Sequence, residues 1–173
     1  MAIALKNRLH VVMGVAGCGK STVGEALADA TGGRYLEGDQ FHPQTNIDKM
    51  SRGEALTDHD RWPWLKGLTQ EMYRHEGTLF LGCSALKLGY RYVLSMAPEG
   101  VSGEPVCFIH LKGSRALIAK RMADRQGHFM PLELLDSQFA TLEEIQPQEN
   151  AVVVDIDRST EDIVRVVLDQ IRD

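Results

Sequence analysis

The 173-residue chain has no apolar run near the roughly 20 residues that a bilayer-crossing helix needs. Its opening residues, Met1-Ala2-Ile3-Ala4-Leu5-Lys6, are too short in apolar length for a secretion signal. Cysteine is scarce: Cys18, Cys83 and Cys107 are odd in number and lack metal-type pairs. That pattern fits a reducing cytoplasm better than a disulfide scaffold. The six histidines never fall at H-x-x-x-H or similar spacing, which argues against a zinc centre. A basic excess is missing too, and a net charge of −5 argues against non-specific nucleic-acid binding. With no repeat, low-complexity tract or linker to divide it, the chain reads as one domain over residues 1–173.

What is present is an ordinary globular composition, 43% hydrophobic and 25% charged, in a chain long enough for a real core. Strand-like and helix-like stretches alternate. Residues 9–13, 34–38, 78–83, 106–111 and 151–156 read as strands, several of them apolar throughout. Helical spacing runs through 22–30 and stops at Gly32-Gly33, and a short helix follows Pro43 and closes at Gly53. Another begins near Asp60, with Pro63 in its first turn and Trp64, Leu65, Leu68 and Met72 as its buried stripe. Further helices are expected over 85–96, from Ser114 through Ala123, over 132–142, and after Ser159. Strands buried on both faces and alternating with helices predict an α/β fold, a three-layer P-loop NTPase domain with a five-stranded parallel sheet flanked by helices and a short lid.

Between the first strand and the first helix stands Gly14-Val15-Ala16-Gly17-Cys18-Gly19-Lys20-Ser21, the G-x-x-x-x-G-K-S pattern. Glycines let backbone wrap closely around a polyphosphate, and successive N–H groups at a helix N-terminus present positive dipole to it. Gly14, Val15, Ala16, Gly17, Cys18, Gly19, Lys20, Ser21 and Thr22 are therefore the candidate nucleotide-binding residues. Lys20 can reach the β- and γ-oxygens, and Ser21 is the candidate metal ligand. Cys18 is the odd member. Its place near a helix N-terminus leads to the expectation of a thiolate that thiol reagents attack and ATP protects.

In an open parallel sheet, ligands sit beyond the carboxyl ends of the strands. Asp39 stands at such an end, and the third strand closes on Phe80-Leu81-Gly82-Cys83 without an acid. Asp39 is thus expected to orient or deprotonate an attacking hydroxyl, as the lone carboxylate at a strand end so near the loop. His42 can donate to a substrate or pack against Pro43. The run Thr57-Asp58-His59-Asp60-Arg61 fits either a substrate loop or a capped helix start. Lys87 and Arg91, four apart on one helical face, suit an anionic substrate or a solvated surface equally. In 120–129, Lys120, Arg121 and Arg125 fit either a lid that steadies a transferring phosphoryl group or cations at a helix C-terminus.

Taken together these residues resemble the gluconokinases, small P-loop kinases related to shikimate kinase. The resemblance runs nearly end to end. It rests on Glu37-Gly38-Asp39 with His42-Pro43, Asn46-Ile47-Asp48-Lys49-Met50, Asp58 to Arg61 with Pro63-Trp64-Leu65, and Cys83-Ser84-Ala85-Leu86-Lys87. Later come Leu111-Lys112-Gly113, Gly127-His128-Phe129, Gln138-Phe139-Ala140-Thr141-Leu142-Glu143 and Val154-Asp155-Ile156-Asp157. The resemblance implies transfer of the γ-phosphoryl of ATP, with Mg²⁺, to the 6-hydroxyl of D-gluconate by a cytoplasmic homodimer. It implies catalytic roles for Lys20, Asp39, Arg121 and Arg125, and a gluconate side made by Asp39, His42, Lys49, Arg61, Lys87, Arg91 and His128. A kinase for another small acid such as shikimate stays open, although the triple-glycine run associated with shikimate kinases is missing. A nucleoside-monophosphate kinase and a nucleotide-binding switch without phosphotransfer also stay open.

Overall fold

All five expected strands form, and they join one sheet. The computed structural model describes residues 3–125 and 131–173. The strands are β1 (Leu9–Met13), β2 (Arg34–Glu37), β3 (Leu79–Gly82), β4 (Val106–Lys112) and β5 (Ala151–Asp155), in the order β2-β3-β1-β4-β5 with every pairing parallel. The helices are α1 (Lys20–Thr31), α2 (Gln44–Ser51), α3 (Asp58–Arg74), α4 (Leu88–Leu94), α5 (Arg115–Ala123), α6 (Leu132–Thr141) and α7 (Thr160–Ile171). Parallel strands need crossover helices, which cover both faces and explain the unbroken apolar runs.

The period of two along β1 divides the core. Val12 packs with residues of α1, α5 and α7 on one face, and Leu9, Val11 and Met13 pack with α3 and α4 on the other. Each such side chain removed from water contributes about 1.5–3 kcal/mol. His10 also lies on β1, fully buried and stacked on Phe80 at 4.6 Å between ring centroids. Neither of its ring nitrogens has a hydrogen-bond partner among the described residues, and burial pulls its pKa from 6.5 to about 4.

The boundaries differ from expectation for local reasons. Gly19, at φ 97°, ends the phosphate loop in a left-handed residue, so α1 starts at Lys20 and takes Lys20 and Ser21 into its first turn. β2 stops at Glu37 because the chain turns there into a 3₁₀ segment, Gly38–Phe41. Thr57 and Asp60 form a capping box, Thr57 accepting from the Asp60 N–H and Asp60 from the Thr57 N–H. Helix α3 therefore begins at Asp58, and Pro63 falls beyond its first turn rather than within it. Ala85 has φ 47°, which no helix accommodates, so α4 begins after Lys87 rather than at Ala85. Among the described residues no helix is long and apolar enough to cross a membrane.

Candidate active site

The carboxyl ends of β1, β2 and β3 bring the phosphate loop, the 3₁₀ turn and the Ser84–Lys87 stretch side by side. Gly14 lies against the chain here. It donates its N–H to Ser84 O at 3.2 Å, and at φ 144° a Cβ on it would meet the Cys18 sulfur at 2.6 Å. Gly38 has the same role in the 3₁₀ turn, since a Cβ there would stand 2.5 Å from the Gly82 carbonyl oxygen. Trp64 Nε1 donates to Gly38 O at 3.0 Å and pins the turn to α3. Lys20 Nζ lies 3.2 Å from both Gly14 O and Val15 O.

Two carboxylates leave this turn, not one. Glu37 accepts from the Ser21 hydroxyl at 2.7 Å and from Tyr35 OH at 2.9 Å. The expectation that Asp39 is the lone acid near the loop is therefore corrected. Glu37 ends β2 and points at the residue that would bind the metal, a signal legible as an acid closing a strand beside a Lys-Ser loop. Hard oxygen donors of this kind suit Mg²⁺, which takes one or two protein oxygens alongside phosphate and water. Asp39 leaves its side chain 81% exposed, with His42 Nε2 4.0 Å from its carboxylate. The charges of Lys20, Asp39 and Glu37 all act on the buried Cys83 thiol, whose pKa burial pushes up to about 12.

His42 is set by its neighbours. Its ring stacks on Trp64 at 4.0 Å, and buried Asn46 donates from Nδ2 to His42 Nδ1 at 3.2 Å and to Asp60 O at 3.0 Å. With Nδ1 accepting, the ring proton sits on Nε2, the nitrogen facing Asp39. Burial holds the His42 pKa below the usual histidine value despite the nearby Asp39.

The cations behave unequally. Lys49 pairs with Asp60 at 2.9 Å, and Lys49 and the Thr57 N–H hold that carboxyl down at about 2. Lys87 pairs with Asp58 at 3.1 Å, and Tyr90 OH donates to the same carboxylate, whose pKa Tyr90 and Lys87 depress. Arg61 lies over the Tyr90 ring at 5.7 Å and Lys87 at 5.6 Å, with Arg61 Nη1 also donating to Leu56 O at 2.6 Å. The Asp58–Arg61 run is thus both a helix start and a charged wall.

Arg91 departs from expectation. It is 1% exposed and points into the protein, where Nε meets Glu149 at 2.6 Å, Nη1 donates to Ala85 O at 2.9 Å and Nη2 to Glu143 O at 3.0 Å. Lys87 stands just before α4 while Arg91 is within it, so the two do not share a helical face towards the cleft. Arg91 braces the left-handed Ala85 instead. Cys18 is a second correction. It is 1% exposed, and burial raises its thiol pKa against the pull of Lys20, so the helix N-terminus does not make a thiolate.

Arg121 stands near the loop, its charge reaching Cys18, and its Nη2 donates to Ile156 O at 2.5 Å. Arg125 and Lys120 are exposed. His128, with the Gly127–Phe129 portion of the expected lid, lies outside the described residues. Sequence reading also passed over the roles of Asp58 and Asp60 as partners of the cations, and of Gln138, whose Oε1 accepts from Ala16 N–H at 2.6 Å. A cavity of about 780 Å³ lies apart from these loops, between α4, Pro105 and Val106 at the amino end of β4, and Gln148–Asn150.

A phosphate loop at the switch point of a five-stranded parallel sheet, facing a turn of two carboxylates and a wall of cations, defines the small P-loop phosphotransferase class. No protein-family model matches the chain. The thermoresistant gluconokinase of Escherichia coli is 39% identical over 170 residues, covering 96% of this chain and 94% of that one. A crystal structure of a gluconokinase from Sinorhizobium meliloti superimposes with a TM-score of 0.82 at 44% identity, covering 93% and 89% of the two chains. The Aquifex aeolicus shikimate kinase shares the fold alone, with a TM-score of 0.57 at 11% identity over 93% and 94%. The chain belongs to the gluconokinase family.

Proposed function

We propose that this chain transfers the γ-phosphoryl of ATP to the 6-hydroxyl of D-gluconate, giving 6-phosphogluconate. One observation carries the reading at the level of chemistry. The Glu37-Gly38-Asp39 turn aims one carboxylate at Ser21 and leaves the other open beside His42 Nε2, next to the loop that holds Lys20. Family membership supports gluconate as the acceptor.

The loop amides that follow Gly14, whose own N–H is taken by Ser84 O, cradle the triphosphate, and Lys20 moves from the Gly14 and Val15 carbonyls onto its β- and γ-oxygens. Ser21 and Glu37 are the residues that would hold Mg²⁺, which would supply positive charge to those oxygens. Asp39 accepts or orients the hydroxyl proton, with His42 Nε2–H beside it to fix the same end of the acceptor. Lys49, Arg61 and Lys87 supply positive charge for the sugar-acid carboxylate, each held in place by Asp60, Leu56 O or Asp58. Arg121 and Arg125 offset charge that develops in the transition state. On the same reading the enzyme is a single-domain cytoplasmic homodimer, as the family resemblance implies.

The test is a panel of sugar acids, shikimate included, with ATP and Mg²⁺, followed by identification of the phosphorylated product. 6-Phosphogluconate is expected. Nucleotide binding with no ADP formed from any acid would establish a switch instead, and preferred phosphorylation of shikimate would reassign the acceptor.

A further inference from the structure

Among the described residues, Gln138 is the one side chain that reaches into the phosphate loop from outside it and takes a backbone donor. Its Oε1 accepts from Ala16 N–H at 2.6 Å across 122 residues of sequence. The orientation of the amide follows from chemistry, since an N–H can be met only by the oxygen and not by the NH₂. The residue is carried on a fixed element. Leu135, three residues earlier on the same face of α6, is fully buried in the cluster that holds Val15, Cys18 and Ile118. Arg115 of α5 pairs with Asp136 of α6 through both carboxylate oxygens.

The amide that Gln138 takes belongs to the working end of the loop. Lys20 Nζ, the group that reaches the β- and γ-oxygens, rests on the carbonyls of Gly14 and Val15, the two residues before Ala16. An amide oxygen on Ala16 N–H therefore stands where an oxygen of the distal phosphates would stand. A glutamine head holds acceptor and donor on one carbon, so about a half-turn around the Cγ–Cδ bond presents Nε2 where Oε1 stood. Among the described residues Nε2 has no other partner.

We propose that Gln138 is a further catalytic residue that reads the terminal phosphate. Without nucleotide, Oε1 stands in for a phosphate oxygen on Ala16 N–H. With the triphosphate bound, the phosphate oxygen takes that N–H and Nε2 donates to the same oxygen. The proposal rests on the kinase reading above, but it concerns the phosphate donor and not the acceptor.

Two variants separate this role from a structural one. Gln138→Glu keeps an acceptor for Ala16 N–H but loses the donor and sets a negative charge against the phosphate. Gln138→Ala loses both. Calorimetric titration with a non-hydrolysable ATP analogue and with ADP, each with Mg²⁺ and without any acceptor, reads the contact directly. Gln138→Glu is expected to bind the analogue about tenfold to a hundredfold more weakly, with ADP changed far less, and its kcat with gluconate should fall by a similar factor. Gln138→Ala should lose the preference for analogue over ADP in the same direction, with an unchanged melting temperature. The proposal is overturned if Gln138→Glu matches the parent protein in both titrations, or if Gln138→Ala loses affinity for both nucleotides together with thermal stability. A parent protein that transfers nothing to gluconate would overturn the acceptor assignment alone, because the titrations need no acceptor.

Discussion

The phosphate loop presents backbone, whereas the 3₁₀ turn, α2 and the starts of α3 and α4 that face it present polar and charged side chains holding one another in place. On the loop side, N–H groups and glycine conformations define the surface, and the side chains of Val15 and Cys18 are buried in the core. On the facing side, Lys49–Asp60, Lys87–Asp58 and His42–Asn46 are all pairs between residues of different elements or turns. The difference follows from the two ligands each side would meet. A polyphosphate is the same in every substrate and can be read by a fixed array of amides. An acceptor has to be distinguished by shape and charge, which calls for side chains, each steadied by a partner so that it does not collapse onto the wrong group.

The comparison breaks most sharply at Asp39, a carboxylate of the facing side with no tight ion pair and no hydrogen bond among the described residues. Asp39→Asn removes the proton acceptor and little else, because the side chain is 81% exposed. Turnover with gluconate should fall by about 10²–10⁴-fold while the melting temperature stays put. A coupled ADP assay and a thermal scan on the same preparation decide it, and a near-parental rate would remove Asp39 from the chemistry.

Next in size is Arg91, a cation that looks in sequence like Lys87 but belongs to the scaffold. Arg91→Met would leave the largely covered Glu149 carboxylate without its charged partner and only the Gln146 N–H on it, and would strip a donor from the carbonyls of Ala85 and Glu143. Breaking such a buried pair costs about 3–5 kcal/mol. For a chain of this size that lowers the melting temperature by about 6–20 °C, measured by scanning calorimetry. Adding Glu149→Leu should restore part of the loss. A stable Arg91→Met protein with a raised KM for gluconate would instead return Arg91 to the substrate side.

These contrasts explain what could be read ahead of the structure. The sheet was legible because most strands carry apolar runs between helical stretches, with the short β2, Arg-Tyr-Leu-Glu, the exception, and the loop was legible because its function lies in local backbone that glycine spacing reports. Glu37 is equally local as an acid closing β2, but its contact with Ser21 joins two elements 16 residues apart and exists only once the sheet is formed. The partners of the cations were out of reach in principle. Arg91 meets Glu149 across 58 residues and Lys87 meets Asp58 across 29, and no periodicity links such positions. Cys18 was misjudged for the same reason, since a helix N-terminus is a local fact while its burial comes from α5, α6 and β4.

A smaller effect separates the rigid sheet from both sides of the cleft. His10 titrates at about 4 in the folded protein and near 6.5 when unfolded. The unfolded chain takes up the proton first as pH falls. Stability held above pH 6.5 is therefore lost progressively down to about pH 4, by about 1 kcal/mol between pH 7 and pH 5.5. Urea unfolding across this range should show that slope, and His10→Leu should flatten it. An unchanged slope in the variant would mean that other groups govern the acid side.

The smallest expected effect tests the loop itself. Local sequence alone makes Cys18 a reactive thiol, placed among amide N–H groups at the start of α1. The folded protein gives the opposite sign, because the sulfur is buried with Val15, Ile118 and Leu135 and desolvation outweighs the charges of Lys20 and Arg121. A thiolate there would have to form away from water, and a reagent would have to displace core side chains to reach it. Iodoacetamide at pH 7.5 should therefore leave Cys18 unmodified by peptide mass analysis, with activity unchanged and ATP making no difference. In denaturant all three cysteines should label, which confirms that the reagent is competent. Rapid labelling of Cys18 in the native protein, slowed by ATP, would mean that the loop opens to solvent and that its amides and its thiol face the same side after all.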